Sequence, residues 1–224
     1  METGSDGILR TPIYNMVEAA HYARVPYQTL RYWAKGRGSV PPLIPLASNE
    51  PPRLSFMNLV ECHILSGMRR DYNLSIVKVR AALRNLIKLH PSLHPLLDWH
   101  FETNRVNLYV REAGDELIDL NNPEQKLLTE IFEINIERIE RNTKGMYVFY
   151  PFVEKRSRQE PKIIMINPAI SFGRPVISGT GIPTAVIASR FHARDSIRDL
   201  AEEYGRTEKE VEEAIRWESR AIAA

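Results

Sequence analysis

The sequence predicts an α+β fold, mainly helical, and three observations carry that expectation. Apolar residues recur at helical spacing in several stretches, among them residues 15–37, 55–68, 75–88 and 123–141. Strand-like alternation is confined to short runs, such as Val106, Leu108 and Val110. Between residues 173 and 183, glycine and proline are too dense for any regular element and demand turns. Together these give an N-terminal helix-turn-helix with a proline-rich hairpin, a middle hairpin-plus-helix segment, and a small C-terminal domain of short strands and helices.

Residues 1–12 read as a flexible lead-in. The run NMVEAAHYARVPYQTLRYWAKGR at 15–37 then forms two short helices joined by a tight turn. The first helix carries Met16, Val17, Ala19, Ala20 and Ala23 as its apolar stripe; Val25 and Pro26 break the pattern. The second turns Leu30 and Trp33 inward and leaves Tyr27, Gln28, Arg31, Tyr32, Lys35 and Arg37 outside. A helix pair that buries one face and offers cations and hydrogen-bonding groups on the other suits a DNA groove. Arg31, Lys35 and Arg37 can neutralise phosphates, while Tyr27, Gln28 and Thr29 stand at the helix start, where side chains reach base edges.

Five prolines between Gly38 and Ser55 exclude a helix and favour an extended hairpin. Helical periodicity resumes with Phe56, Leu59, Val60, His63 and Ile64, and Ser75 caps a further helix bearing Ile76, Val79, Leu83 and Leu86. A short helix is expected near residues 96–102. Arg105 to Val110 and Leu117 to Leu120 form a hairpin around Gly114-Asp115, and Asn122-Pro123 opens a helix to about Arg141, with Ile139 on its apolar side. Residues 146–153 and 162–166 read as strands. Three helical stretches follow Pro183, separated near Arg194-Asp195 and Gly205-Arg206.

The chain has 224 residues, 43% of them hydrophobic and 26% charged, enough for two or three small domains. It holds no apolar run long enough to span a membrane and no secretory leader, so a cytoplasmic location is expected. Cys62 is alone, which rules out an internal disulfide; its apolar flanks make it a core thiol. Net charge is only +2, but residues 1–100 hold 12 Lys or Arg against 7 Asp or Glu, and the remainder is net acidic. A basic first part and an acidic remainder suit nucleic acid at one end and another partner at the other.

His90, His94 and His100 do not make a metal site, because prolines after the first two break the helix that would align them. No Gly-x-Ser-x-Gly elbow or other nucleophilic centre is present. An enzyme is therefore not expected, and neither a cofactor nor a metal.

Residues 15–83 resemble the winged helix-turn-helix of MerR-type regulators, on Val17-Glu18-Ala19-Ala20, PYQTLRYW at 26–33, Leu59 with Met68-Arg69-Arg70, and Ser75 to Arg80. The resemblance makes residues 41–52 an unusually long wing. It places Arg53-Leu54 where an Arg-Tyr pair is common, so Arg53 joins the DNA-binding set. From Lys162 onward the chain resembles a small bacterial domain family of unassigned function, often encoded beside PIN-type ribonuclease toxins. Asn167-Pro168, Gly173, Pro175, Gly179, Thr180 and Pro183 fill its Gly/Pro pattern. Gly179 and Gly181 are expected to supply positive φ angles, and Thr180 to bond local backbone. The motif reads as architecture, since it lacks the Gly-Lys-Ser/Thr ending of a phosphate loop.

The last two helices could form a second helix-turn-helix, but residues 195–220 carry nine acidic and five basic residues, so a protein contact is expected there. Together the two halves resemble the antitoxins of VapB-type pairs. That resemblance implies domains at 13–88 (DNA-binding), 89–160 (dimerisation or partner-binding) and 161–224 (Gly/Pro motif). It also implies a homodimer that binds double-stranded operator DNA to repress its own operon, and a PIN-domain nuclease as partner. An antitoxin cation entering that nuclease's carboxylate cluster would come from Arg141, Lys144, Arg156 or Arg158 on sequence position. The alternative is a free-standing MerR-like regulator answering a small ligand, which requires a long coiled coil directly after the DNA domain.

Overall fold

The computed structural model describes residues 3–72, 76–77, 79–80, 87, 91–94, 97, 134–141, 146–153 and 157–219. The fold is α+β and mainly α, as the sequence predicts. The chain divides into two compact units, one of Arg10–Glu137 and one of Met1–Leu9 with Arg138–Ala224. Residues 1–12 are not a lead-in: α1 spans Thr3–Arg10 and buries Leu9. The hairpin expected at 105–120, most of the helices at 75–88, 96–102 and 123–141, and His90 and His100 lie outside the described residues.

In the unit of Arg10–Glu137, β1 (Tyr14–Asn15) leads into α2 (Met16–Tyr22) and α3 (Tyr27–Lys35). A hairpin of β2 (Ser48–Asn49) and β3 (Pro52–Leu54) follows. β3 is the central strand of an antiparallel three-stranded sheet, pairing Tyr14 with Leu54 and Ser48 with Arg53. Prolines 51 and 52 fit because they sit at the turn and at the first position of the strand.

α4 (Phe56–Tyr72) runs four residues past its expected end. Its residues 56–67 are buried all round, including Asn58, Glu61, His63 and Ser66. Burial of polar groups is tolerable only with partners. Asn58 Oδ1 accepts from Ser55 N at 3.0 Å and its Nδ2 donates to Pro45 O at 2.9 Å, fastening the helix start to the hairpin's approach. Glu61 meets His94 Nδ1 at 2.9 Å. Burial, then the neighbouring Glu61, pushes the Cys62 thiol well above its usual range, so it is an inert core group.

In the other unit, β4 (Ile139–Arg141) and β5 (Tyr147–Phe149) form an antiparallel hairpin. This corrects the helix expected to continue to Arg141: only residues 134–136 are helical among its described part, and the chain turns at 137–138. Arg138 explains the break. Its side chain is 3% exposed, and its guanidinium donates to Tyr150 O and Glu160 O at 2.7 Å and, more weakly, to Pro151 O and Pro161 O. It also lies 4.5 Å from the Phe152 ring centre. A cation that binds carbonyls on two passing segments pins a hairpin, not a helix face.

Phe149 and Ile166 exchange both backbone bonds, which joins β5 to the strand pair β6 (Ile164–Met165) and β7 (Val176–Ile177). Val148, Met165 and Val176 form a small core beneath, with Tyr150 and Ile170 against it. The three helices expected after Pro183 are present as α5 (Thr184–His192), α6 (Ile197–Tyr204) and α7 (Glu208–Ser219). They pack through Ile187, Leu200, Val211, Ala214 and the fully buried Trp217. Ser196 caps α6, Gly205 ends it in the left-handed conformation, and Thr207 with Glu210 forms the capping box of α7. Among the described residues, no helix is long and apolar enough to cross a membrane.

Candidate functional site

The α2–α3 pair is built by its caps. Asn15 Oδ1 accepts from Val17 N and Glu18 N at 2.9 Å, while Glu18 Oε2 accepts from Asn15 N, a reciprocal box that starts α2 at Met16. Met16, Ala19, Ala20 and Ala23 are buried as expected, but Val17 is 68% exposed. Position 17 falls on the solvent side of a helix begun at Met16, so Val17 leaves the predicted stripe. Arg24 makes the turn at φ 54°, and Val25 N bonds back to Ala20 O. Pro26 is the N-cap of α3, a position whose N–H makes no bond within the helix, so its missing donor costs nothing.

Leu30 and Trp33 are essentially inaccessible, each contributing about 1.5–3 kcal/mol of burial. Leu43 N and Ile44 N both donate to Trp33 O, at 2.7 and 3.1 Å. The segment expected to be all wing therefore folds back on α3 first, and only residues 48–54 form the hairpin. Gly36 is required for this return: at φ +70°, an added Cβ would lie 2.2 Å from Val40 O.

Tyr27, Gln28, Arg31 and Lys35 lie exposed on α3, with Thr29 and Tyr32 half-buried. Arg37 follows one residue past Gly36, exposed and fixed by reciprocal backbone bonds with Val40. Arg31, Lys35 and Arg37 make no side-chain hydrogen bond or ion pair among the described residues. Three unneutralised cations on one helix and its exit are what a phosphate backbone attracts. Tyr32 and Arg53 differ from the rest. The Arg80 guanidinium lies 5.2 Å from the Tyr32 ring centre and donates to Pro41 O at 2.6 Å. Arg53 sits in β3 opposite Asn15 and donates to Ile13 O at 3.3 Å, so part of its donor capacity serves the sheet.

Of the four cations considered for a nuclease contact, Lys144 and Arg156 lie outside the described residues. Arg141 is exposed in β4, its guanidinium 4.6 Å from the centre of the Tyr147 ring directly across the hairpin. Arg158 is exposed in the turn at 157–160.

Polar side chains of the Gly/Pro motif fasten its own turns. Asn167 Oδ1 accepts from Ala169 N, and Thr180 Oγ1 donates to Ile177 O at 2.7 Å while accepting from Ile182 N at 3.1 Å. Gly179 has φ +74°; Gly181 does not adopt a positive φ, since Thr180 already closes that turn. Thr184 donates to Pro175 O and to Glu218, tying the motif to α7. Sequence reasoning missed the turn Ser171–Gly173, where Ser171 (φ 47°) and Phe172 (φ 56°) are both left-handed and Phe172 is 88% exposed. Residue type offers no signal for it, because neither residue favours that conformation.

Residues 164–217 match a family described only as a protein of unknown function, DUF433. The chain is 24% identical to a Mycobacterium tuberculosis protein named "Putative antitoxin VapB45", covering 91% of this chain and 92% of that one. It is 26% identical to the uncharacterized protein Rv2308 of the same organism, over 93% and 90% of the two chains. The crystal structure of Rv2018 from Mycobacterium tuberculosis has the same fold, with a TM-score of 0.64 at 22% identity, covering 92% of this chain and 98% of that one.

Proposed function

We propose that this chain is an antitoxin that neutralises a PIN-domain ribonuclease and binds operator DNA to repress its own operon, without catalysis of its own. The observation that carries the reading is the near end-to-end likeness to a protein named a putative antitoxin, spanning both halves of the chain and not the C-terminal segment alone. The DNA half of the reading is supported by α3: a buried Leu30–Trp33 face, and Tyr27, Gln28, Thr29, Arg31, Tyr32, Lys35 and Arg37 on the outer side, with Arg53 at the hairpin. In this reading residues 13–88 are the DNA-binding domain, 89–160 the dimerisation or partner segment, and 161–224 the Gly/Pro-motif domain. The working species is a cytoplasmic homodimer, because a two-fold protein reads a palindromic operator with both copies of α3.

The nuclease is the product of the reading frame adjoining this gene. Expressed alone it should arrest growth, and co-expression of this chain should restore it. Arrest that persists despite soluble, folded chain would overturn the assignment.

A further inference from the structure

The turn Ser171–Gly173 has features that internal packing does not account for. Its two leading residues hold left-handed backbone, a conformation that an aromatic side chain adopts only under constraint. The constraint is visible. Gly173 N bonds to Ile170 O at 2.9 Å, Arg174 N to Ser171 O at 3.1 Å, and Ser171 Oγ to Gly181 O at 3.0 Å. The side chain presented by this rigid turn is nonetheless 88% exposed, so Phe172 adds almost nothing to the core. Strain without internal return, spent on projecting an aromatic ring, marks a contact with something else.

Charge gives the chemistry of that contact. Residues 161–194 contain Lys162, Arg174, Arg190 and Arg194 and not one Asp or Glu. Lys162 pairs with Glu140, and Arg190 with Asp195 and Glu203. Arg174 and Arg194 are exposed and have no ion-pair partner among the described residues. The surface that fits is apolar at the point of contact and carries carboxylates around it. A second copy of this chain fits less well. Of the nine acids at 195–220, Asp195, Glu202, Glu203, Glu210 and Glu213 are already held in ion pairs and Glu218 by Thr184, which leaves only Asp199, Glu208 and Glu212 to offer.

We propose that the Ser171–Gly173 turn is the knob by which the chain docks on its toxin, Phe172 filling an apolar pocket and Arg174 meeting carboxylates at its rim. The proposal rests on the antitoxin reading and names a contact apart from Arg141, Lys144, Arg156 and Arg158. Phe172 is the anchor; Arg174 steers the approach.

Phe172→Asn is the informative variant, because asparagine accepts left-handed backbone better than phenylalanine does. With the full chain and the purified product of the adjoining nuclease frame, Phe172→Asn should weaken binding by about 30-fold or more, the loss expected of a central aromatic anchor. Its melting temperature should equal or exceed that of the parent chain. Arg174→Glu should chiefly slow association, with an effect that shrinks in high salt. Unchanged nuclease affinity in Phe172→Asn overturns the docking proposal while leaving the antitoxin reading intact. A lower melting temperature with the loss of binding assigns the residue to folding and also overturns it. Loss of self-association without nuclease present would make the turn a contact between copies instead. If the parent chain itself fails to bind the nuclease, the antitoxin reading falls and the proposal falls with it.

Discussion

Replacing Arg31, Lys35 and Arg37 together by alanine should change how operator binding depends on salt more tellingly than it changes affinity at any one condition. All three are exposed and make no side-chain hydrogen bond or ion pair among the described residues, so the folded chain loses no internal partner when they go. Surface substitutions of this kind stay within about 0.5 kcal/mol of parental stability. On DNA, each phosphate neutralised contributes ~0.9 to the slope of log K against log salt, so three lost contacts flatten it by ~2.7 per chain bound. Over a fourfold rise in salt, from about 50 to about 200 mM, the parent should then lose ~40-fold more affinity than the variant for each chain bound, so ~1,800-fold for a dimer. Fluorescence anisotropy on a labelled fragment from upstream of the gene, over a salt series, measures both slopes. Equal slopes would mean that these cations do not meet phosphates, and the orientation assigned to α3 would be wrong.

Two further predictions concern the unit containing Arg138–Ala224. Arg138→Met should destabilise that unit by about 3–5 kcal/mol, because it removes a buried guanidinium that donates to four backbone carbonyls. Urea unfolding followed by Trp217 fluorescence reads it, and a loss below about 1 kcal/mol would refute the clamp. Glu210→Gln keeps the neutral hydrogen bond of the α7 cap but removes the carboxylate that pairs with Arg206, and should cost about 0.5–1 kcal/mol near neutral pH. Burial raises the Glu210 carboxyl, but hydrogen bonds from Arg206 and Thr207 outweigh it and hold the group below its ordinary 4.5. A depressed folded value means the contribution is complete above 4.5 and fades as pH falls through that lower value, so parent and variant should converge in acid. A gap unchanged between neutral and acid pH would contradict this.

The helix pair was legible because Leu30 and Trp33 share a face, and because Val25-Pro26 interrupts an otherwise continuous pattern. The three C-terminal helices were legible from the breaks near Arg194-Asp195 and Gly205-Arg206, where the structure places local caps at Ser196, Gly205 and Thr207. What failed to show was tertiary. Ile139 fits a helical stripe by spacing, yet Arg138 spends its guanidinium on carbonyls twelve and more residues away, and the chain turns into β4. The return of residues 43–44 onto Trp33 O is likewise invisible, since prolines say that a helix is excluded and not where the extended chain goes. α1 was missed because an octet with Gly4 and Gly7 has little helical propensity of its own. The left-handed Phe172 breaks a residue preference outright, and such breaks are where a function is sought.

An antitoxin must inhibit its nuclease. The adjoining gene's product should cleave a fluorogenic RNA, and titrating in this chain should abolish cleavage at a fixed stoichiometric ratio. Addition of operator DNA should leave the inhibition in place, because α3 and the Phe172 turn belong to different units of the chain. Cleavage that continues at full rate in a molar excess of folded chain would mean that the chain is not an antitoxin of this nuclease.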